Sequence, residues 1–189
     1  MRKLKLQVVM TLDGYIAGPN GEMDWMVWDW DDKLNEYVKE ITEPVDCIVL
    51  GRKLAEGFIP YWTAALTNPE GAEEGAKKMV ETPKIVFSKT LTKSEWDNTV
   101  LSNGDLVDEI NSLKKQDGKD IIVYGGAIFI SALIKHGLID EFHLLINPTA
   151  IGNGMTIFKE LDFRQSFNLI KAIPFECGIV VLYYEPKRD

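Results

Sequence analysis

The sequence predicts an α/β fold: a mixed, mostly parallel central sheet with helices on both faces and an antiparallel hairpin at its C-terminal end. Three observations carry this. Short β-branched runs alternate with stretches of helical periodicity along most of the chain. Two of the runs, "CIVL" and "IIVY", are apolar throughout, as a strand covered on both faces must be. The last two runs, in "FNLIKAIPFECGIVVLYYE", are joined by the short turn "PFECG", and a link that short joins antiparallel strands.

In chain order, strands are expected at 3–11, 46–50, 84–88, 120–124, 139–147, 165–173 and 178–185. The first begins in "MRKLKLQVVMTLDGYIA", basic and then apolar like a secretory leader. The apolar run is short, alternates like a strand and is cut by Asp13-Gly14, so it reads as structure and the cytoplasm is expected. In "WDWDDKLNEYVKEI", Trp30, Leu34, Tyr37, Val38 and Ile41 share one helical face. "CIVLGRKLAE" leaves a strand and turns into a helix. A polar helix with two glycines is expected over 69–81. "DLVDEINSLKKQ" places Leu106, Ile110 and Leu113 on one stripe, and "AIFISALIKHG" runs helically from Gly126 to a stop at Gly137.

With 189 residues and no internal repeat or linker composition, the chain is expected to form one domain over 1–189. Hydrophobic residues make up 46% and charged residues 26%, a globular balance. The net charge of -8 argues against a nucleic-acid partner, which needs a basic face. No run approaches the ~20 apolar residues of a membrane span. Cys47 and Cys177 sit in apolar strand-like runs and read as buried thiols of a reducing compartment. His136 and His143 have no companions at ligand spacing, so no metal is expected.

Chemistry gathers at the strand ends. "IIVYGGAIF" brings a buried strand to Gly125-Gly126, and a helix follows at once. Its first amides lack internal partners and carry partial positive charge, so the pair suits a pyrophosphate; it equally suits a tight turn needing glycine dihedrals. "CIVLG" ends in Gly51, then Arg52 and Lys53, where ligands of open α/β sheets bind. "KIVF" ends in Ser88 and Lys89, a hydroxyl and a cation. Together the three ends describe a phosphate-rich ligand such as a dinucleotide. "MTLDGYIAGPNGEMDWMVWDW" adds a loop with three glycines and three tryptophans, suited to a mobile cover over a flat ligand.

The ordered set "TLDGYIAG", "LGRK", "VFSKTL", "YGGA" and "GLIDEFHLLINPTAIGNGMTIF", spanning residues 8–158, resembles the dihydrofolate reductase-like superfamily. The branch it is most similar to holds the C-terminal reductase domain of the bacterial bifunctional riboflavin-biosynthesis deaminase/reductase. The resemblance implies a three-layer α/β/α dihydrofolate reductase-like fold and NADPH as hydride donor. Val9, Ile16 and Ala17 would line the nicotinamide. Gly51, Arg52, Lys53, Gly125, Gly126, Ala127 and Ile128 would meet the phosphates. Ser88 and Lys89 would lie at the adenosine and its 2′-phosphate. A cis peptide between Gly125 and Gly126 is also implied. Two positions depart from the pattern: Leu54 replaces a usual hydroxyl residue, and Val123 replaces a substrate-contacting glutamate of the riboflavin-pathway enzymes.

The expected activity is NADPH-dependent reduction of a pterin or ribosylaminopyrimidine. Trp25, Tyr37, Tyr61 and Trp62 are expected to wall the substrate. Asp32 is the candidate acid, ahead of Asp31 and Asn35. The alternative is a non-catalytic nucleotide or small-molecule sequestering protein on the same fold. The apolar C-terminal hairpin offers a strand edge, so a homodimer is expected.

Overall fold

The structure, a computed structural model, describes residues 1–68 and 75–188. Its first strand, β1 (Leu4–Met10), alternates Leu4, Leu6, Val8 and Met10 on one face with Lys5, Gln7 and Val9 on the other, and both faces are covered. The apolar runs "CIVL" and "IIVY" become β2 (Val45–Gly51) and β5 (Asp120–Val123), which pair in parallel with each other and, through β5, with β1. β3 (Lys84–Phe87) and β6 (Glu141–Ile146) also run parallel to their inner neighbours. β7 (Phe167–Pro174) and β8 (Val180–Pro186) form the expected antiparallel hairpin, with β8 antiparallel to β6. One strand was not expected: β4 (Thr99–Ser102), a four-residue parallel edge beside β3. Among the described residues the sheet has eight strands, in the order β4-β3-β2-β5-β1-β6-β8-β7.

Helices cover both faces and give three layers. On one side α4 (Leu106–Lys115) and α5 (Ala127–Lys135) pack Ile110, Leu113, Ile130, Leu133 and Ile134 onto β1, β2, β5 and β6. On the other, α1 (Asp32–Thr42) lays Leu34, Tyr37 and Ile41 over β1, β6 and β8. There α2 (Arg52–Leu66) and α3 (Ala76–Glu81) cover β2, β3 and β5 through Ala55, Ile59 and Met79. The expected helix over 69–81 is thus present from Ala76, while 69–74 lie outside the described residues.

The helix starts differ in kind. Asp31 caps α1, its carboxylate accepting from the Leu34 amide, and Asp105 caps α4, accepting from Val107 and Asp108. α2 starts on Gly51 and α5 on Gly126, and neither has a side-chain cap. The peptide between Gly125 and Gly126 is trans, so the implied cis bond is corrected. The turn is made instead by rotation at Gly126, whose φ of 83° and ψ of 93° lie where side chains with a Cβ are disfavoured.

Candidate cofactor and substrate site

Parallel order puts the carboxyl ends of β3, β2, β5, β1 and β6 along one edge of the sheet. β2 and β5 are neighbours, yet the helices that follow them lie on opposite faces. Their first turns converge over the edge between the two strands. The Leu54 side chain of α2 comes within 3.1 Å of where a Gly125 Cβ would stand, and Phe129 of α5 within 3.0 Å of a Gly51 Cβ. The turn reading of the glycine pair is met at Gly126, whose φ is 83°. The glycines are needed for close helix packing, and they bring two uncapped helix N-termini side by side.

Around this point two of the three cations, Arg52 and Lys89, are engaged. Arg52 donates to Glu56 at 2.6 Å, one turn along α2, and Lys53 is exposed. Lys89 donates to the carbonyls of Asn103 and Gly104 at 2.8 and 2.9 Å. Ser88 is buried, its hydroxyl accepting from the Leu91 and Thr90 amides. Ala127 is half-buried and Ile128 exposed on the first turn of α5.

Beyond β1, Ile16 and Ala17 form a bridge with Met155: the Ile16 amide donates to Met155 and the Met155 amide to Ala17. Asp13 accepts from the amides of Ile151 and Gly152. The Thr11 hydroxyl, with those two amides, holds the Asp13 carboxyl below the usual carboxylate range. The 11–30 cover is thereby pinned to the 147–155 segment. Val9 faces the α1 layer with Val27 and Trp30, whose indole donates to the Val27 carbonyl at 3.0 Å. Trp30 belongs to that packing, Trp28 is exposed, and Trp25 is half-buried with its Nε1 enclosed and unpartnered among the described residues.

A family model described as the RibD C-terminal domain matches residues 2–181. This chain belongs to the RibD C-terminal domain family. The uncharacterized protein YyaP of Bacillus subtilis (strain 168) is 35% identical over 184 residues, covering 97% of this chain and 94% of its own. The fold is also that of the diaminohydroxyphosphoribosylaminopyrimidine deaminase/5-amino-6-(5-phosphoribosylamino)uracil reductase of Thermotoga maritima. There the TM-score is 0.69 at 18% identity, over 98% of this chain and 57% of that one. Dihydrofolate reductase from Enterococcus faecalis, complexed with NADP(H) and RAB-propyl, superposes with a TM-score of 0.64 at 17% identity, over 98% of this chain and 97% of that one.

In this RibD C-terminal domain the edge gathers Gly51, Arg52, Lys53, Ser88, Lys89 and Gly125 to Ile128, with Val9, Ile16 and Ala17 beyond them at the end of β1. Other expected site residues lie apart. Tyr37 is a core residue whose hydroxyl shares a 2.7 Å hydrogen bond with His143 Nδ1, and burial pushes its pKa up. Tyr61 is nine residues along α2 from Arg52, roughly 13 Å at 1.5 Å per residue. Trp62 lines a hollow of about 430 Å³ with Met79, Lys84 and Trp96, at the amino end of β3. Asp32 is exposed at the start of α1, on the outward stripe with Glu36, Lys39 and Glu43 and opposite Leu34 and Ile41. Asp31 is spent on its cap and on the Cys177 amide.

Both thiols are free. Burial raises Cys47 to about 11, which removes it as a nucleophile at neutral pH. Among the described residues no trio of His, Cys, Asp or Glu could hold a metal ion, and no helix is long and apolar enough to cross a membrane. Sequence reasoning missed Ser102, whose buried hydroxyl has no partner among the described residues and which lies beside Ser88, because β4 itself was not seen. It also missed Asn147, fully buried directly after β6.

Proposed function

We propose that this chain is an NADPH-dependent reductase that delivers hydride to a C=N or C=O bond of a small flat heterocycle, of pterin or ribosylaminopyrimidine type. One observation carries the reading. Two uncapped helix N-termini, from opposite faces, meet over adjacent strand ends at Gly51 and Gly125, where a Cβ would be crowded by Phe129 and Leu54. That is a cradle for a pyrophosphate, and the residues fit the cofactor. NADPH supplies the hydride when bound. The chain's own part is to bind, orient and exclude water. Gly51, Gly125 and the first-turn amides of α2 and α5 hold the phosphates. Arg52 and Lys53 meet the phosphates with them, Ser88 and Lys89 serve the adenosine and its 2′-phosphate, and Val9, Ile16 and Ala17 the nicotinamide side. With Asp32 outward and Asp31 spent, water delivers the proton. The solved relatives named above, a uracil-type reductase and an NADP(H)-bound dihydrofolate reductase, support the same chemistry.

A second reading, a sequestering protein without turnover, is favoured by Leu54 over Gly125 and by the engagement of Arg52 with Glu56. One titration separates them. NADPH is expected to bind at least about tenfold more tightly than NADH, and Arg52→Ala to reduce that ratio, by loss of one charge-assisted contact. Binding of neither nucleotide at millimolar concentration ends the reductase reading. Binding without reduction of any pterin or aminopyrimidine leaves the second.

We further propose that the chain works in the cytoplasm as one domain over 1–189 and as a homodimer. β7 is an eight-residue edge strand with Leu169 54% and Ile170 45% exposed, and such an edge pairs with its twin. Light scattering at micromolar concentration checks this, and Ile170→Lys is expected to shift the mass toward that of one chain.

A further inference from the structure

Asn147 closes β6 at the same edge and is fully buried. Burying an amide is unfavourable unless its groups are bonded. Its backbone amide donates to Met10 at 2.7 Å, which locks it beside the end of β1. Its Oδ1 accepts the Val27 amide at 2.8 Å, across 120 residues of chain. The Val27 carbonyl is taken by the Trp30 indole. Val27 is thus held at both backbone groups, by the sheet through Asn147 and by the α1 layer through Trp30. Trp25 lies two residues away, its Nε1 enclosed and unpartnered among the described residues.

We propose that Asn147 is a positioning residue for the substrate compartment: through Val27 it sets where Trp25 stands above the edge at β1, and so which heterocycle fits. The inference rests on the reductase reading. It separates two tasks along one edge. The glycine cradle at β2 and β5 holds cofactor, and the polar anchor at β6 shapes the substrate side. An apolar residue at 147 would leave the Val27 amide without its acceptor and the loop without a fixed height.

The test compares wild type, Asn147→Ala and Asn147→Asp, the last keeping an acceptor oxygen. Trp25 is isolated by subtracting a Trp25→Phe background. In Asn147→Ala, acrylamide quenching of Trp25 is expected to rise about threefold and exchange of the Val27 amide about tenfold. The KM for dihydrofolate rises about tenfold with kcat within about threefold, and the NADPH dissociation constant stays within about twofold. Asn147→Asp restores part of each change. Should Asn147→Ala fail to fold, Asn147→Ser, which shortens the acceptor's reach, carries the same measurements. Unchanged Trp25 quenching overturns the proposal. So does a loss of NADPH affinity in step with KM, since that marks general damage to the edge. A wild type that binds NADPH but leaves dihydrofolate and the aminopyrimidines unreduced overturns the substrate role. A wild type that binds no NADPH overturns the reductase reading instead, and the quenching and exchange results still decide the anchor.

Discussion

At Gly154 an added Cβ would stand 2.3 Å from the Ala17 carbonyl oxygen, and backbone cannot rotate out of the way. At Gly125 the nearest obstacle is the Leu54 Cδ2 at 3.1 Å, the free end of a flexible side chain. The two glycines therefore respond differently to the same methyl group. Gly154→Ala has to part the Ala17–Met155 bridge and is expected to destabilise by about 2–3 kcal/mol, the scale of an overpacked contact plus a lost hydrogen bond. Gly125→Ala is expected to stay within about 1 kcal/mol, because Leu54 can change rotamer. Urea unfolding of the two variants reads the difference. Equal losses would mean that Leu54 is not free to move. NADPH binding should rank them in reverse, since only Gly125 belongs to the cradle. Gly125 was legible in the sequence from its place after "IIVY". The demand at Gly154 was not, because it arises from a strand bridge between segments more than a hundred residues apart.

At the level of elements, the helix starts differ in chemistry. α1 and α4 start on aspartates that satisfy their own amides, while α2 and α5 start on glycine at the carboxyl edge. Asp31 does more than cap. One carboxylate oxygen accepts from Leu34 and the other from Cys177 in the β7–β8 turn, which ties α1 to the hairpin. Those backbone amides, Leu34 first and then Cys177, hold its carboxyl below the usual range. A depressed carboxyl stabilises fully above its ordinary value of about 3.9 and loses that contribution as pH falls through the folded value. The urea midpoint of the wild type is therefore expected to fall more steeply between about pH 5 and pH 3 than that of Asp31→Asn, which keeps an acceptor but cannot titrate. Parallel slopes would remove Asp31 from the acid response. Most elements were legible because their apolar spacing is regular: Leu34, Tyr37 and Ile41 on α1, or Ile110 and Leu113 on α4. β4 was not, since four residues with Val100 facing solvent carry too little pattern to separate strand from loop. The distance of Tyr61 and Trp62 from Arg52 was hidden for a related reason. Aromatics near a cationic motif look close in sequence, yet a helix carries them more than two turns away.

Across the whole molecule the two edges of the sheet are built from different chemistry. The carboxyl edge offers glycines and backbone amides. At the amino edge Arg2 pairs with Asp46, Lys5 with Asp120 at 3.0 Å, and Lys114 and Arg188 with Asp140. Glu141, at the start of β6, stands at the centre of this belt. Burial pushes its carboxyl up. Hydrogen bonds from His143 and Lys3 and the charges of Lys5 and Lys3 outweigh that and bring it down to about 2. The amino edge is held by ion pairs, a feature invisible in sequence because the paired charges lie far apart along the chain. The stability consequence has a definite sign. With its folded value lowered from 4.5, Glu141 contributes fully above about pH 4.5, and the contribution drains away as pH falls toward 2. The drop, at 1.36 kcal/mol per pH unit, is worth on the order of 3 kcal/mol near neutrality. Glu141→Gln is accordingly expected to lower stability by about 3 kcal/mol at pH 7, leaving Lys5 and Lys3 short of a carboxylate. It should also flatten the stability profile between pH 5 and about 3, where the wild type declines. NADPH affinity should be unaffected, since the cradle lies at the opposite edge. Urea titrations across that range, with nucleotide binding measured on the same preparations, test both halves. A variant that loses NADPH affinity while keeping wild-type stability would overturn the proposed cradle at the carboxyl edge.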